Sequence, residues 1–274
     1  KYFKFETPKR YNDVTHFEML LRVRCGTLTK EDKSKINSRV KSYMEYIGNG
    51  MEKKDEIKPT RIFALKKDVE LYNNTELNKL TTPLFEYKSV DKFYSKIKSK
   101  DGTRKILKDV PSSKIKDCTE YLNTIIPVSV SLKIDSQVML TYNLSVENGL
   151  VNGSRGVVKS LEEDGVVVLF KNDLTTKISY KSNDFEDMDI IFERSHIPLI
   201  LAWGISIHKT QGSTLDCAIM DIGPSIFSPG MAYVALSRIK TLDGVYISNF
   251  LPNKIWANTE ALEFEEMIDT LIST

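Results

Sequence analysis

Apolar residues recur at helical spacing in FEMLLRVR (17–24), and Cys25-Gly26 supplies a stop, since glycine readily takes the left-handed turn that ends helices. A second helix is expected from Thr29, which can cap it, with Asp32 at the third helical position as a variant capping box. After Pro59 the run RIFALK reads as a short apolar strand, and Asp68-Val69 opens a helix through VELYNNTELNKL. Strand followed by helix is the repeating unit of an α/β domain. Between residues 80 and 120 the apolar periodicity fades, Lys and Arg outnumber Asp and Glu, and Asp101-Gly102 marks a turn. This stretch reads as a partly helical surface insertion. From Ser131 the period becomes two: SLKIDSQVMLTYN is extended, with turns at Asn148-Gly149, Asn152-Gly153 and Asp164-Gly165. Short strands joined by tight turns predict a small barrel. Past Pro198 the α/β pattern returns, with LILAW as a buried strand, SIHKTQGS as a loop and CAIMDI as a strand. MAYVALSRI reads as a helix, VYISNF as the last strand, and IWANTEALEFEEMIDTLI as an amphipathic closing helix.

Composition narrows the function classes. Of the 274 residues, 41% are hydrophobic and 28% charged, as in a globular protein, and the net charge is +2. A nucleic-acid site must therefore be a local groove rather than a global positive field. No apolar run reaches membrane-spanning length and no secretory signal is present, so no membrane partner is expected. Cys25, Cys118 and Cys217 lie far apart, which fits neither a zinc site nor a disulfide framework; reduced thiols in an intracellular compartment, not secretion, are the expectation. Richness in Lys, Asn and Ile points to an AT-rich genome, such as that of a large DNA virus. The chain begins with Lys1 rather than Met, which reads as a processed or shortened chain.

Two stretches carry candidate chemistry. In IPLILAWGISIHKTQGSTLD (197–216) a buried strand runs into a loop of Ser206, His208, Lys209, Thr210, Gln211, Gly212 and Ser213. Loops at the C-terminal ends of strands bind ligands in open α/β sheets, and this set of hydroxyls, cation, amide and glycine suits phosphate contacts. The plain alternative, at even odds, is a polar loop capping a helix. In GMAYVALSRIKTLDGVYI (230–247), Tyr233, Val234 and Leu236 can pack inward and leave Ser237 and Arg238 near the ligand edge of the sheet. An arginine there can stabilise charge on a transferring phosphoryl group; a lone arginine is more often a surface salt-bridge residue.

SIHKTQGSTLD followed by YVALSRIK resembles the last two motifs of the Pif/RecD-like branch of superfamily-one DNA helicases, the petite integration frequency helicases above all. SLKIDSQVMLTYN…ENGLVNGSRGVV resembles the approach to the barrel inserted in that family. PTRIFALKKDVELYNN resembles the first strand and helix of its second RecA-like domain, and FEMLLRVRCGTLTKED the helical passage before it. The resemblance spans nearly the whole chain except residues 80–120. It implies that Arg238 is the phosphate-sensing arginine, and that Gln211 and Gly212 sit by the nucleotide and couple it to DNA. It also implies that His208, Lys209 and Thr210, with Ser206 beside them, face the DNA backbone. Arg10 is the nearest match to a second arginine that touches the γ-phosphate. Lys66 and Lys67 follow the first strand and can meet a DNA phosphate; a solvated lysine pair is the alternative.

One departure weighs against these matches. The sequence contains no GxxxxGK[ST], the loop that cradles phosphates and places Mg²⁺, and Gly153-Ser154-Arg155-Gly156 is a turn. In the family that loop and the acidic Mg²⁺ motif belong to the first RecA-like domain. The expected fold is therefore α/β: a second RecA-like motor domain, of the P-loop NTPase type, with an inserted small SH3-like β-barrel. Residues 1–45 would be a passage out of a missing first domain and 46–135 the first part of the second domain. Residues 136–196 would be the barrel and 197–274 the second part. The expected function is the C-terminal half of an ATP-dependent DNA helicase with 5′ to 3′ travel, inactive alone and using ATP and Mg²⁺ in a longer protein. Its partners would be single-stranded DNA, duplex or fork DNA and the missing N-terminal RecA-like domain, in a nucleus, mitochondrion or viral replication site. No metal ligand is assigned within this chain. Two other classes stay open: a helicase-derived nucleic-acid-binding module without motor activity, and a phosphate-recognising partner-binding domain. If the barrel touches DNA, its acidic run (Asp184, Glu186, Asp187, Asp189) should repel it, leaving the side near Arg155 and Lys159; bracing of the Asn152-Gly153 turn is the alternative for Arg155.

Overall fold

The computed structural model describes residues 10–11, 13–50, 57–98, 104–107, 110–187 and 190–273. The Asp101-Gly102 turn, Asp189 and the first nine residues lie outside them. Helix α1 (Val14–Cys25) starts where the Asp13 carboxylate accepts the backbone N–H groups of Thr15 and His16, and it stops at Gly26, whose φ is 71°. Its stripe of His16, Met19, Leu20 and Val23 is buried. Helix α2 (Lys30–Gly48) opens with the expected box, Thr29 and Asp32 each accepting from the other's backbone N–H. Asp32 also receives both ends of the Arg22 guanidinium, at 2.8 and 2.9 Å, which ties α2 to α1.

These helices cover a four-stranded parallel sheet in the order β13-β1-β14-β15, built from β1 (Thr60–Phe63), β13 (Gly204–Ser206), β14 (Ala218–Ile222) and β15 (Val245–Phe250). Helix α3 (Lys66–Lys79) packs on β13 and β1, and the short α5 (Met231–Leu236) meets α1. The core between them includes Ile36, Ile205, Ala218, Ile222, Leu236 and Ile247. Helix α6 (Thr259–Ser273) closes the chain and is pinned by an Arg24–Glu265 ion pair.

A second, antiparallel sheet has the order β12-β6-β7-β8-β9, from β12 (Leu199–Leu201), β6 (Gln137–Leu140), β7 (Arg155–Glu162), β8 (Gly165–Phe170) and β9 (Thr175–Ser179). Its core of Val138, Val158, Val168 and Phe170 is shared with a two-stranded ribbon of β2 (Phe85–Lys88) and β5 (Ser129–Leu132), through Tyr87 and Leu132. Two sequence expectations change here. SLKIDSQVMLTYN is two strands, split at Asp135, whose φ is 68°. LILAW is likewise divided: residues up to Leu201 pair with β6, whereas the Trp203 carbonyl already accepts from Arg61 on β1.

The stretch 80–120 is more ordered than a surface insertion. Besides β2 it holds β3 (Val90–Lys98), β4 (Arg104–Ile106) and most of α4 (Ser112–Ile125). With β10 (Lys181–Asp187) and β11 (Ile190–His196) these strands form a third sheet, β10-β11-β3-β4, on which α4 lays Cys118 and Leu122 against Phe192. Its charges hid its period because they pair across strands. Lys96 meets Glu186 at 3.2 Å, Arg104 meets Asp184, and the buried Arg194 forks onto Asp91 at 2.7 Å. Part of the acidic run is thus neutralised by the lysine-rich stretch rather than standing free to repel DNA.

Candidate nucleotide and nucleic-acid interface

Because the strands of the first sheet are parallel, its two edges present different residues. At the C-terminal edge, β1 leads to Lys66 and Lys67 at the start of α3, and β13 leads through Ile207 into a single 3-10 turn, His208–Thr210. Lys66, Lys67, His208 and Lys209 are exposed there. Lys66 and Lys209 line one groove of about 650 Å³, with Asn74 of α3, Asn123 of α4 and Ser131 of β5 on its walls. Gln211 and Gly212 follow, both exposed, with Gly212 at φ 81°. Two hydroxyls expected to face DNA point elsewhere. Thr210 is fully buried and donates to the Ile207 carbonyl at 2.5 Å; Ser206 is 2% exposed and accepts the Lys209 N–H at 3.4 Å. Both shape the loop, because a hydroxyl so close to local backbone closes a turn instead of reaching solvent.

Arg238 lies at the opposite edge. Leu215 and Ile239, just ahead of β14 and β15, form a parallel bridge, and the Leu215 N–H donates to the Arg238 carbonyl at 2.9 Å. The sequence expectation that Arg238 sits by the ligand edge of the strands is corrected by this register. The helix behind it is held by Ala232, Ala235 and Leu236, all at most 3% exposed, while Tyr233 and Val234 are half-buried. Arg238 donates from Nε to the Val234 carbonyl at 3.0 Å and from a terminal nitrogen to the Ser237 hydroxyl at 2.8 Å.

Arg10 arrives beside it, though separated by most of the chain. It donates to the Ser237 carbonyl at 2.7 Å, to the Thr214 hydroxyl at 3.1 Å and to the Ser213 carbonyl at 3.4 Å. The Tyr11 hydroxyl donates to the same Ser237 carbonyl. Burial lowers the pKa of Arg238, and the positive charge of Arg10 lowers it further. Among the described residues no carboxylate forms an ion pair with either arginine. Two guanidinium groups held close, with no counter-charge among the described residues, make a ready anion site, since an opposite charge placed there relieves the repulsion.

The segment between the two edges is continuous. From Lys209 the chain passes Gln211 and Gly212, and at Thr214 it receives Arg10. Gly153 presses on it from the antiparallel sheet: a Cβ there would lie 2.9 Å from the Thr214 carbonyl. Arg155 neither faces solvent nor braces its own turn. It is 3% exposed and donates to Asp216 at 2.7 and 3.1 Å and to the Lys58 carbonyl, bolting the antiparallel sheet to the parallel one. Burial would raise the Asp216 carboxyl, yet Arg155 and Lys171 outweigh it and hold it at about 2. Sequence reasoning missed this bolt, and the lone acid after the motif, Asp216, was its one available sign.

Comparison with known proteins decides the family. The description "DNA helicase Pif1, 2B domain" matches residues 120–161, from the end of α4 through β7. ATP-dependent DNA helicase PIF1 of Danio rerio is 33% identical over 267 residues, which cover 93% of this chain. This chain belongs to the Pif1 helicase family. The chain spans 36% of the length of that Danio rerio Pif1 and likewise 36% of Homo sapiens PIF1, to which it is 31% identical. "Uncharacterized protein 030L" of Invertebrate iridescent virus 6 is 29% identical, with 96% of this chain and 59% of that protein aligned. The crystal structure of Bacteroides sp Pif1 in complex with ADP-AlF4 superposes with a TM-score of 0.71 at 26% identity, over 96% of this chain and 55% of that one. Pif1 relatives thus share the mixed α/β fold and its parallel sheet, and their names join ATP dependence to DNA. Among the described residues no helix is long and apolar enough to cross a membrane.

Proposed function

We propose that this chain is the second motor-domain half of a Pif1-type, ATP-dependent DNA helicase, with Arg238 as its arginine finger. In this reading the parallel sheet is the second RecA-like domain. The five-stranded sheet with the β2–β5 ribbon is the small SH3-like barrel, larger than 136–196 because it recruits β2, β5 and β12 from outside those bounds. A phosphate-loop domain elsewhere in the longer protein holds ATP and Mg²⁺; this chain closes over the γ-phosphate with Arg238 and Arg10. The observation that carries the reading is that Arg10 and Arg238 meet at Ser237, at one edge of the parallel sheet, with no carboxylate paired to either among the described residues. Such a pair fits the charge spread over the outer oxygens of a transferring phosphoryl group.

The C-terminal edge serves DNA. His208 and Lys209, with Lys66 and Lys67 across the groove, meet the backbone of a single strand, and Gln211 and Gly212 lie on the segment that links them to the arginines. A shift of Thr214 under Arg10 is then felt at Lys209, which gives hydrolysis a route to move the strand, in the 5′ to 3′ direction that the family resemblance implies. The barrel would meet the duplex or fork. The sequence itself has no GxxxxGK[ST]. The pure chain should therefore show no ATP turnover with single-stranded DNA and Mg²⁺, and should gain it when joined to a Pif1 phosphate-loop half. DNA-stimulated turnover by the chain alone contradicts the split site.

A further inference from the structure

Ser237 anchors both arginines, and a third residue reaches it. Its hydroxyl accepts from Arg238 at 2.8 Å, and its carbonyl accepts from Arg10 at 2.7 Å. The Tyr11 hydroxyl donates to that same carbonyl. A carbonyl oxygen has two lone pairs, so Arg10 and Tyr11 together fill it. Ser237 is 1% exposed, so water has little access to replace either donor. Arg10 also donates to Thr214 at 3.1 Å and to Ser213 at 3.4 Å, but its bond to Ser237 is the shortest of the three. With one lone pair taken by Tyr11, the Arg10 fork is confined to the other.

The ring of Tyr11 is held as firmly as its hydroxyl. It stacks on Phe17, with centroids 5.9 Å apart and planes inclined by 28°, and meets His16 edge-on at 5.5 Å. His16 is 2% exposed and belongs to the buried stripe of α1, so the wall behind Tyr11 is part of the packed core. Burial also favours the neutral imidazole, which keeps a third positive charge away from the two arginines. Tyr11 thus ties the start of α1 to the carbonyl that carries Arg10. Without its hydroxyl the second lone pair of that carbonyl is open, and the Arg10 fork can slide across the oxygen. Groups that act on a reacting centre are sensitive to such shifts, since a misplacement of about 1 Å can cost roughly a hundredfold in rate.

We infer that Tyr11 is a positioning residue: its hydroxyl fixes the Arg10 fork on the Ser237 carbonyl, and with it the spacing of Arg10 and Arg238. The inference rests on the reading of these two arginines as the groups that close over the γ-phosphate. The test uses the longer protein with its phosphate loop intact and measures DNA-stimulated ATP turnover and thermal melting for Tyr11→Phe. The kcat should fall about tenfold, the size that one ordinary hydrogen bond allows, with the KM for ATP unchanged. The melting temperature should stay where it is, since Arg10 still serves the carbonyl and a buried carbonyl with one partner is tolerated. In an Arg10→Lys background, where no fork is left to place, Tyr11→Phe should cost nothing further. Equal falls in the two backgrounds would show that Tyr11 acts apart from Arg10 and would overturn the inference. A Tyr11→Phe enzyme with normal kcat, beside an Arg238→Ala enzyme that has lost turnover, also overturns it and leaves the arginine finger standing. Normal turnover in Arg238→Ala overturns both.

Discussion

At the scale of single residues, burial decides which polar groups act and which merely build. Thr210 and Ser206 look identical to Lys209 as candidates when written in a row, yet their hydroxyls are spent on the turn that projects Lys209. Sequence spacing carries no information about side-chain direction in a non-repeating loop, so this distinction was not legible. Arg10 was named through family likeness alone, and its place beside Arg238 was not legible because the two are distant in the chain. Arg155 was misjudged because a basic residue on a strand usually snorkels to solvent. Its actual role makes a testable point. The Arg155 side chain is 1% exposed while Asp216 is 41% exposed, so removing the carboxylate strands a buried charge next to a half-solvated site. Asp216→Asn should cost about 2–3 kcal/mol, less than the roughly 3–5 kcal/mol for breaking a fully buried pair because Asp216 is half-exposed. The pH dependence follows from the sign of the shift. Asp216 ionises at about 2, below its ordinary value of 3.8, so its contribution is complete above about pH 4 and is lost as pH falls towards 2. Thermal melting between pH 4 and 2 should therefore decline less steeply in Asp216→Asn than in the unaltered chain. Parallel declines would mean that the bolt adds nothing to stability.

At the scale of elements, local signals served best where they were strongest. The Gly26 stop and the Thr29–Asp32 box stand as expected, because each rests on backbone hydrogen bonds within a few residues. Lys79 and Leu80 mark the end of α3 as expected, although it starts at Lys66, two residues before Asp68. Strands β3 and β4 were missed for a physical reason: β3 is fixed by β11, which comes much later in the chain, β4 pairs only with β3, and their alternation is written in paired charges rather than in apolar residues. LILAW was read as one strand because both halves are buried, and burial does not reveal which sheet each half joins. The capping box itself can be measured. Thr29→Ala removes the acceptor for the Asp32 N–H but keeps the Arg22–Asp32 pair, and should cost about 1 kcal/mol of unfolding free energy. Denaturant titration should show a lower midpoint at an unchanged slope. An unchanged midpoint would mean that packing alone fixes the start of α2.

At the scale of the whole molecule, the alternation of patterns from helical to extended and back already implied one α/β unit interrupted by an antiparallel module. The placement of the candidate residues on two opposite edges was not implied. It follows from parallel strands joined by a segment that crosses from the end of β13 to the start of β14, which only the register reveals. In the proposed reading, that crossing makes one motif the connection between Lys209 at one edge and the Arg10–Arg238 pair at the other. The most direct test uses the longer protein with its phosphate loop intact and replaces Arg238 by Ala. Both DNA-stimulated ATP turnover and the melting temperature are measured on one preparation. The account predicts a fall in turnover of about 10³–10⁵, roughly 4–7 kcal/mol of barrier, with little change in melting temperature and little rescue by Arg238→Lys. A variant that melts earlier yet turns over ATP normally below its melting range would show that Arg238 stabilises the domain and is no arginine finger.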